Sequence, residues 1–509
     1  MKVSVTKNTI QSLKLDAVAF PISKSEKDNA LKEVAAKTGV TVALFEKDFS
    51  ADESSLMMLY PDLELCAFKR VFLVGLGDKP GLDACRSAMA SLAKKVKELK
   101  LATVGVDLSG AKALSETAND SVDYIAQTAV EGFHSGLYDF NQLKTNRVKE
   151  LKSGKSEDDE PKQAVEELVL ATDAKILSDV KKGAETGDII ATSQAMVRDL
   201  VNSPSNYMTA LDFAERVKAS GEKHGFKVTV FDKAKIEELK MGGLLGVNKG
   251  SVIPPTFSIM EYKPEGESLG RVALVGKGVM FDTGGISIKP SSGMGDMKAD
   301  MAGGADVLGA VEAAARLKLP LEVIGIVPAT DNMPSGSAQN PGDVLTTYSG
   351  ITVEVDNTDA EGRLILADAL TYVKETYNPD TIIDLATLTG ACIVALGETT
   401  AGLFSNNDEL AEKLYKAGQR AGEKVWRMPI WDEYDKLIKS NVADVKNVGG
   451  RSAGSITAAK FLEKFVGDHS SWAHLDIAGP AFPGMTNGGG SGSTGFGVRL
   501  LVELMRNWK

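Results

Sequence analysis

Asn357-Thr358-Asp359-Ala360-Glu361-Gly362-Arg363-Leu364 stands between two stretches of different hydrophobic period. Before it, residues 351–355 (Ile-Thr-Val-Glu-Val) alternate apolar and polar as a half-buried strand does. After it, Leu364, Leu366, Ala367, Leu370 and Val373 fall on one stripe of a helix. The octet is therefore expected to be a strand-to-helix turn. Residues two apart on extended backbone point the same way, so Asp359 and Glu361 can reach one point in space. Two carboxylates converging there repel unless a cation lies between them. Gly362 permits a close approach or a positive φ, and Arg363 adds a fixed positive charge beside the pair.

Taken alone, Asp-x-Glu reads as a solvated turn with a capping role. A second acid-bearing segment of the same design argues against that reading here. Residues 271–276 (Arg-Val-Ala-Leu-Val-Gly) form a short buried-type strand that runs into Lys277, Asp282 and Lys289, then into Asp300, and then into an apolar helix over 305–317. Carboxylates and lysines again gather at the far end of a strand. Ligands of open α/β sheets collect at that carboxyl edge.

A chain of 509 residues with 43% apolar content can bury large cores, and two domains are expected. The 69 acidic against 58 basic residues give a net charge of −11, which argues against a general nucleic-acid surface and against an anionic membrane, although a global count does not exclude a local basic patch. Cys66, Cys85 and Cys392 are far apart and show no C-x-x-C spacing, so neither a disulfide framework nor a zinc ribbon is expected, and a reducing cytoplasm suits the chain. The first eight residues lack a basic-then-apolar signal pattern. The least polar run, 381–397, contains Asp384 and several threonines and reads as a buried strand and turn, not a membrane span.

Along the chain, residues 3–5, 17–20, 70–74 and 102–106 read as strands and 27–37 and 84–99 as helices, which makes residues 1–173 a small N-terminal α/β domain. Val74-Gly-Leu-Gly-Asp78 lacks the third glycine of a dinucleotide fingerprint and is better read as a tight turn. Residues 152–163 are a solvated charge run. A connecting helix over 174–201 opens the larger C-terminal catalytic domain, 174–509. There, strands at 227–231, 255–262, 271–275, 321–327, 351–355, 381–385 and 472–477 alternate with helices at 211–224, 233–239, 306–316, 363–375, 408–421 and 456–466. That rhythm predicts an α/β fold with a mixed, mostly parallel central sheet covered by helices on both faces.

Asp282, Asp300, Asp359 and Glu361 carry four negative charges, the number that balances two divalent cations. With only four histidines in the chain, a zinc site of the H-E-x-x-H kind is not available. Oxygen-rich coordination admits Mn²⁺ or Mg²⁺ as readily as Zn²⁺. Two metals ~3.5–4 Å apart can hold a bridging water, lower its pKa and polarise a carbonyl or phosphoryl group. A two-metal phosphoesterase is thus the competing enzyme class, and a regulatory or nucleic-acid-binding role of the first domain the non-enzymatic one.

The octet, together with Lys277, Asp282, Lys289 and Asp300, resembles the signature of the leucyl aminopeptidase (cytosol aminopeptidase) family of dinuclear metallo-exopeptidases. The similarity continues through Asn332-Met-Pro-Ser-Gly336, Pro341-Gly-Asp-Val-Leu345, Asp384-Leu-Ala-Thr-Leu-Thr-Gly390 and Trp472-Ala-His-Leu-Asp-Ile-Ala478, from about residue 200 to the end. The resemblance implies that Asp282 and Glu361 bridge two metals, that Asp359 completes one site, and that Asp300 with the neutral amine of Lys277 completes the other. It implies that Lys289 stabilises the oxyanion and that Arg363 holds a bicarbonate ion that shuttles the proton, since a guanidinium cannot itself be a base. Substrates would be peptides with a free N-terminus, whose α-amine can coordinate a metal as an internal peptide nitrogen cannot, with leucine preferred. It further implies a small α/β domain in front of the catalytic part and a homohexamer.

Met280, Met297, Met301 and residues 387–391 are candidates either for an apolar side-chain pocket or for plain core filling. Gly450-Arg-Ser452-Ala-Gly454 spells G-x-S-x-G, with Asp468 and His474 following in serine-hydrolase order, but a polar loop at 444–450 precedes it where a nucleophile elbow needs a strand. His474 is expected to be a hydrogen-bonded structural histidine. Gly304, Asn340 and Asp356 depart from the family pattern without removing any ligand or catalytic group.

Overall fold

The computed structural model of the chain describes residues 1–145, 165–484 and 492–508. The charge run 152–163 lies outside the described residues. Two compact units follow one another, Met1–Thr192 and Ser193–Lys509, and their boundary falls inside the helix Leu177–Asn202.

The first unit is built on β1 (Lys2–Thr6), β2 (Ala17–Ile22), β3 (Leu56–Leu59), β4 (Val71–Gly75), β5 (Thr103–Asp107) and β6 (Glu167–Ala171), in the order β1-β6-β5-β2-β4-β3. Only β3 is antiparallel to its neighbour. Alternation along β2 feeds two cores. Ala17 and Ala19 pack with the helix Leu82–Glu98 on one face, while Val18, Phe20 and Ile22 pack with Lys27–Thr38 on the other. β6, absent from the sequence reading, lies inside the sheet between β1 and β5. Its Leu-Val-Leu run carries no period-2 alternation to betray it, because both its faces are covered. The helix Val122–Leu137, likewise unforeseen, is held to Leu82–Glu98 by the buried pair Arg86 Nε and Glu131 Oε2 at 2.9 Å. Gly77, with φ +78°, makes the expected tight turn after β4.

The second unit contains β7 (Lys227–Phe231), β8 (Thr256–Tyr262), β9 (Arg271–Gly276), β10 (Gly278–Asp282), β11 (Glu322–Asn332), β12 (Val344–Thr346), β13 (Thr352–Glu354), β14 (Thr381–Ala386), β15 (Ala401–Ser405), β16 (Val425–Arg427), β17 (Val445–Lys446) and β18 (Trp472–Asp476). A nine-stranded sheet runs β16-β15-β18-β14-β9-β11-β8-β7, with β10 paired to β11. Its centre is parallel, and it turns antiparallel at β11/β8, β8/β7 and β18/β15. The sheet is mixed and mostly parallel at its core, as expected.

Strands β10, β12, β15, β16 and β17 escaped the sequence reading. β10 is a glycine-flanked pentapeptide whose pairing partner, Ala329 opposite Gly278, lies far along the chain. β17 falls within the stretch expected to be a polar loop; two residues are too few to show a pattern, and the strand exists through its register with β13.

Two helices, Ala302–Arg316 and Gly362–Tyr377, are buried almost all round. Leu364, Ile365, Leu366 and Leu370 of the second join Val275, Ile324, Ile326, Phe461 and Phe465 in one core. Because β9, β10, β11, β14 and β18 run the same way, the residues at or just past their ends, Lys277, Asp282, Asn332, Thr387 and Asp476, come to a single edge of the sheet.

Candidate metal and active site

The octet does leave β13 and enter the helix Gly362–Tyr377. One carboxylate oxygen each of Asp282, Asp359 and Glu361 lies within 4.8 Å of the others. Lys277 Nζ donates to Asp300 Oδ1 at 2.7 Å and lies 2.7 Å from Glu361 Oε1. Lys289 Nζ is 2.7 Å from Asp282 Oδ2 and pairs with Asp359 Oδ1. The tertiary fold therefore brings together six predicted residues, two lysines and four acids, drawn from two parts of the sequence.

Gly362 earns its place in the octet by size. A Cβ there would stand 2.5 Å from Lys277 Cε, so any side chain would force that lysine to shift within the cluster. The Lys289 loop turns through Gly284 and Gly285, with φ +84° and +65°, a backbone that glycine adopts without strain. Thr358 fastens this loop to the octet. Its hydroxyl donates to Gly284 O at 2.6 Å and accepts from Ser287 N at 2.8 Å. Asn332, at the end of β11, donates to Asp282 Oδ1 at 2.8 Å and to Thr358 O at 3.0 Å. Thr387 closes the far side, donating to Asp300 Oδ1 at 2.8 Å while its carbonyl accepts from Lys277 at 3.1 Å.

Burial and crowding set the electrostatics. Asp282 is pushed up to about 6, by burial first and the Glu361 charge second, with the two lysines opposing. Burial likewise raises Asp300 and Asp359. Glu361 is held below the usual range because Lys277 and Lys289 outweigh its burial. Burial alone would lower Lys277, yet the charges of Asp300, Glu361 and Asp282 push it up, so in this arrangement it is an ammonium. Four acids thus face two cations, and some of their lone pairs are unserved. Asp300 Oδ2 accepts no hydrogen bond among the described residues, and Asp359 Oδ1 and Glu361 Oε1 have only their ion pairs. A cluster of convergent buried oxygens with spare acceptor capacity fits hard divalent cations.

Arg363 is 6% exposed and donates from Nη1 to Asn447 O at 2.6 Å, while its Nε has no partner among the described residues. Burial lowers it to about 10, against Glu361 and Asp476.

The serine-hydrolase pattern does not assemble. Ser452 is exposed, Asp468 is almost fully exposed, and His474 is wholly buried with Nδ1 2.6 Å from Asp384 Oδ1. Met280 and Met301 are core residues at 1% exposure, which leaves Met297, partly exposed, as the one of the three able to face a substrate. Asn332, Thr358 and Asn447 were given no role of their own in the sequence reading, and Thr387 only that of a candidate pocket-lining or core residue, not of a partner to Asp300. Asn332 and Thr387 could have been found from their places at or just past strand ends on the carboxyl edge, whereas Asn447 offered no such signal.

Residues 195–502 match the profile of the cytosol aminopeptidase family's catalytic domain, and residues 19–147 match that family's N-terminal domain. A protein of Chlorobium phaeobacteroides described as "Probable cytosol aminopeptidase" is 55% identical over 100% of both chains. Another so described, from Chlorobaculum tepidum, is 53% identical, again over 100% of both. Among solved structures, a tomato leucine aminopeptidase mutant superimposes with a TM-score of 0.83 at 31% identity, covering 99% of this chain and 96% of that one. The bottromycin maturation enzyme BotP in complex with Mn does so at 0.82 and 33%, covering 97% and 99%.

Proposed function

Because the chain belongs to the cytosol aminopeptidase family, and is a peptide hydrolase of that family, we propose that it releases N-terminal residues, leucine preferentially, with two divalent cations held by Asp282, Asp300, Asp359, Glu361 and Lys277, the last as the neutral amine left when a cation displaces its proton. The observation that carries this reading is the convergence of the Asp282, Asp359 and Glu361 oxygens within 4.8 Å beside the unserved Asp300 Oδ2. Mn²⁺, Zn²⁺ and Mg²⁺ all suit such a donor set. Bound there, the cations supply an ionised water at neutral pH and polarise the scissile carbonyl.

The chain's own groups supply the rest. Lys289, tethered by its loop to Thr358, aims an ammonium at the cluster, where it offsets charge developing on the carbonyl oxygen. Arg363, fixed at Nη1 and unpartnered at Nε among the described residues, is the residue to hold bicarbonate as proton acceptor. Support for leucine preference is the tomato neighbour's name and the partly exposed Met297. A homohexamer is carried over from the family, and a cytosolic setting agrees with the relatives' names; among the described residues no helix is long and apolar enough to cross a membrane.

The test is hydrolysis of leucine p-nitroanilide by protein stripped with a chelator and then given Mn²⁺ or Zn²⁺. Turnover is expected to vanish and return, and N-acetylated substrate is expected to resist. Undiminished turnover by protein shown to be metal-free would refute the reading.

A further inference from the structure

Asn447 lies far along the chain from the octet, in a segment whose sequence shows only a polar, glycine-containing stretch. β17 carries it to the site. This strand pairs parallel with β13, Val445 opposite Val353 and Lys446 opposite Glu354, and Asn447 N continues the ladder to Glu354 O at 3.0 Å. Asp444 pins the register at the other end, accepting from Thr352 N at 2.8 Å and Thr352 Oγ1 at 2.7 Å. Since strand side chains alternate, a slip of one residue would turn Asn447 away from the octet.

In register, its wholly buried side chain uses both halves of the amide. Oδ1 accepts from Asp356 N at 2.9 Å and Asn357 N at 3.3 Å. Nδ2 donates to Asn357 O at 2.6 Å and Ala360 O at 3.3 Å. Two N–H groups on one side and two carbonyls on the other fix the amide orientation and exclude the flipped one. The clamped peptides bracket Asp359 and immediately precede Glu361. Between Asn357 and Glu361 the turn's own hydrogen bonds are Ala360 N to Asn357 O, 3.2 Å, and Asp359 N to Asn357 Oδ1, 2.9 Å. The main-chain carbonyl of Asn447 meanwhile takes Arg363 Nη1.

We propose that Asn447 is a positioning residue for the peptidase reaction: its side chain sets the direction in which Asp359 and Glu361 present their carboxylates, and its carbonyl sets the guanidinium of Arg363. Resting on the functional reading above, this assigns the 444–447 segment to the active site. Alanine lacks both halves of the clamp, aspartate lacks the donor half, and glutamine is a methylene too long for the same register.

Mn²⁺ titration of stripped protein by calorimetry, followed by kcat and KM on leucine p-nitroanilide, decides it for Asn447→Ala and Asn447→Asp. The control is Tyr262→Phe, which removes a buried hydrogen bond, Tyr262 Oη to Leu319 O at 2.9 Å, at a residue outside the site. Asn447→Ala is expected to bind Mn²⁺ roughly 10- to 100-fold more weakly, with a comparable fall in kcat and a KM within about threefold of wild type. The control should lose stability and neither of these. Should the alanine variant not fold, Asn447→Asp, which keeps the acceptor half, is expected to show the same weakening. Wild-type Mn²⁺ affinity and kcat in the folded variants would overturn the proposal alone, as would an equal loss in Tyr262→Phe. A wild type that neither binds Mn²⁺ nor hydrolyses the substrate would overturn the functional reading, and this proposal with it.

Discussion

Lys277 Nζ donates to Asp300 Oδ1 at 2.7 Å, and the two side chains are 3% and 6% exposed. An ion pair so far from water is costly to break from one side, because the partner is left as an uncompensated buried charge. Lys277→Met is therefore expected to destabilise stripped protein by roughly 3–5 kcal/mol, through Asp300 and Glu361 together. Thermal unfolding in chelator checks this, and an unchanged midpoint would contradict it.

Lys289 is more accessible, its side chain 21% exposed, and it faces Asp282 and Asp359. Lys289→Ala should leave the fold intact and lower kcat by about 10²–10³, the scale on which single oxyanion donors act. Circular dichroism alongside steady-state kinetics separates this outcome from simple unfolding. Retention of wild-type kcat would remove Lys289 from the chemistry.

Thr358 is fully buried, and its hydroxyl satisfies one carbonyl and one N–H of the Lys289 loop. Thr358→Val preserves shape but strands both backbone groups, costing about 1–3 kcal/mol. The loosened loop misplaces Lys289, and a fall in kcat of roughly 10- to 100-fold is expected. Hydrogen exchange should report faster exchange at Ser287 N. Unchanged exchange there would show that the loop is held by something else.

His474 is buried against Asp384 on β14, with Asp476 on its own strand and Arg363 on the neighbouring helix also acting on it. Burial alone would lower its pKa, but the Asp384 charge and hydrogen bond, with Asp476, raise it above 6.5. A raised folded-state pKa contributes stability that is fully present below the unfolded value of 6.5 and is lost as pH climbs through the folded one. Asp384→Asn should remove this contribution. The stability difference between wild type and variant is then larger at about pH 6 than at about pH 8.5. Urea titrations across that range measure it, and a pH-independent difference would mean that His474 folds neutral.

Every residue of the lysine–carboxylate cluster could be named from the chain, because each belongs to a short motif of acids and lysines at strand ends among glycines, and together those motifs resemble the cytosol aminopeptidase signature. The parallel sheet was likewise legible in the strand and helix rhythm of residues 227–477. Elements without a private pattern stayed hidden. β6 is buried on both faces, and β10 and β17 are strands only because β11 and β13 lie beside them.

By itself, then, the sequence determined which side chains carry charge to the carboxyl edge, since local period and motif spacing are properties of neighbours along the chain. Only the tertiary structure decided how those side chains are aimed. Thr358 across to Ser287, Asn332 across to Asp282, and Asn447 across to Ala360 are hydrogen bonds between distant segments. Their geometry is set by sheet register, which no local stretch encodes.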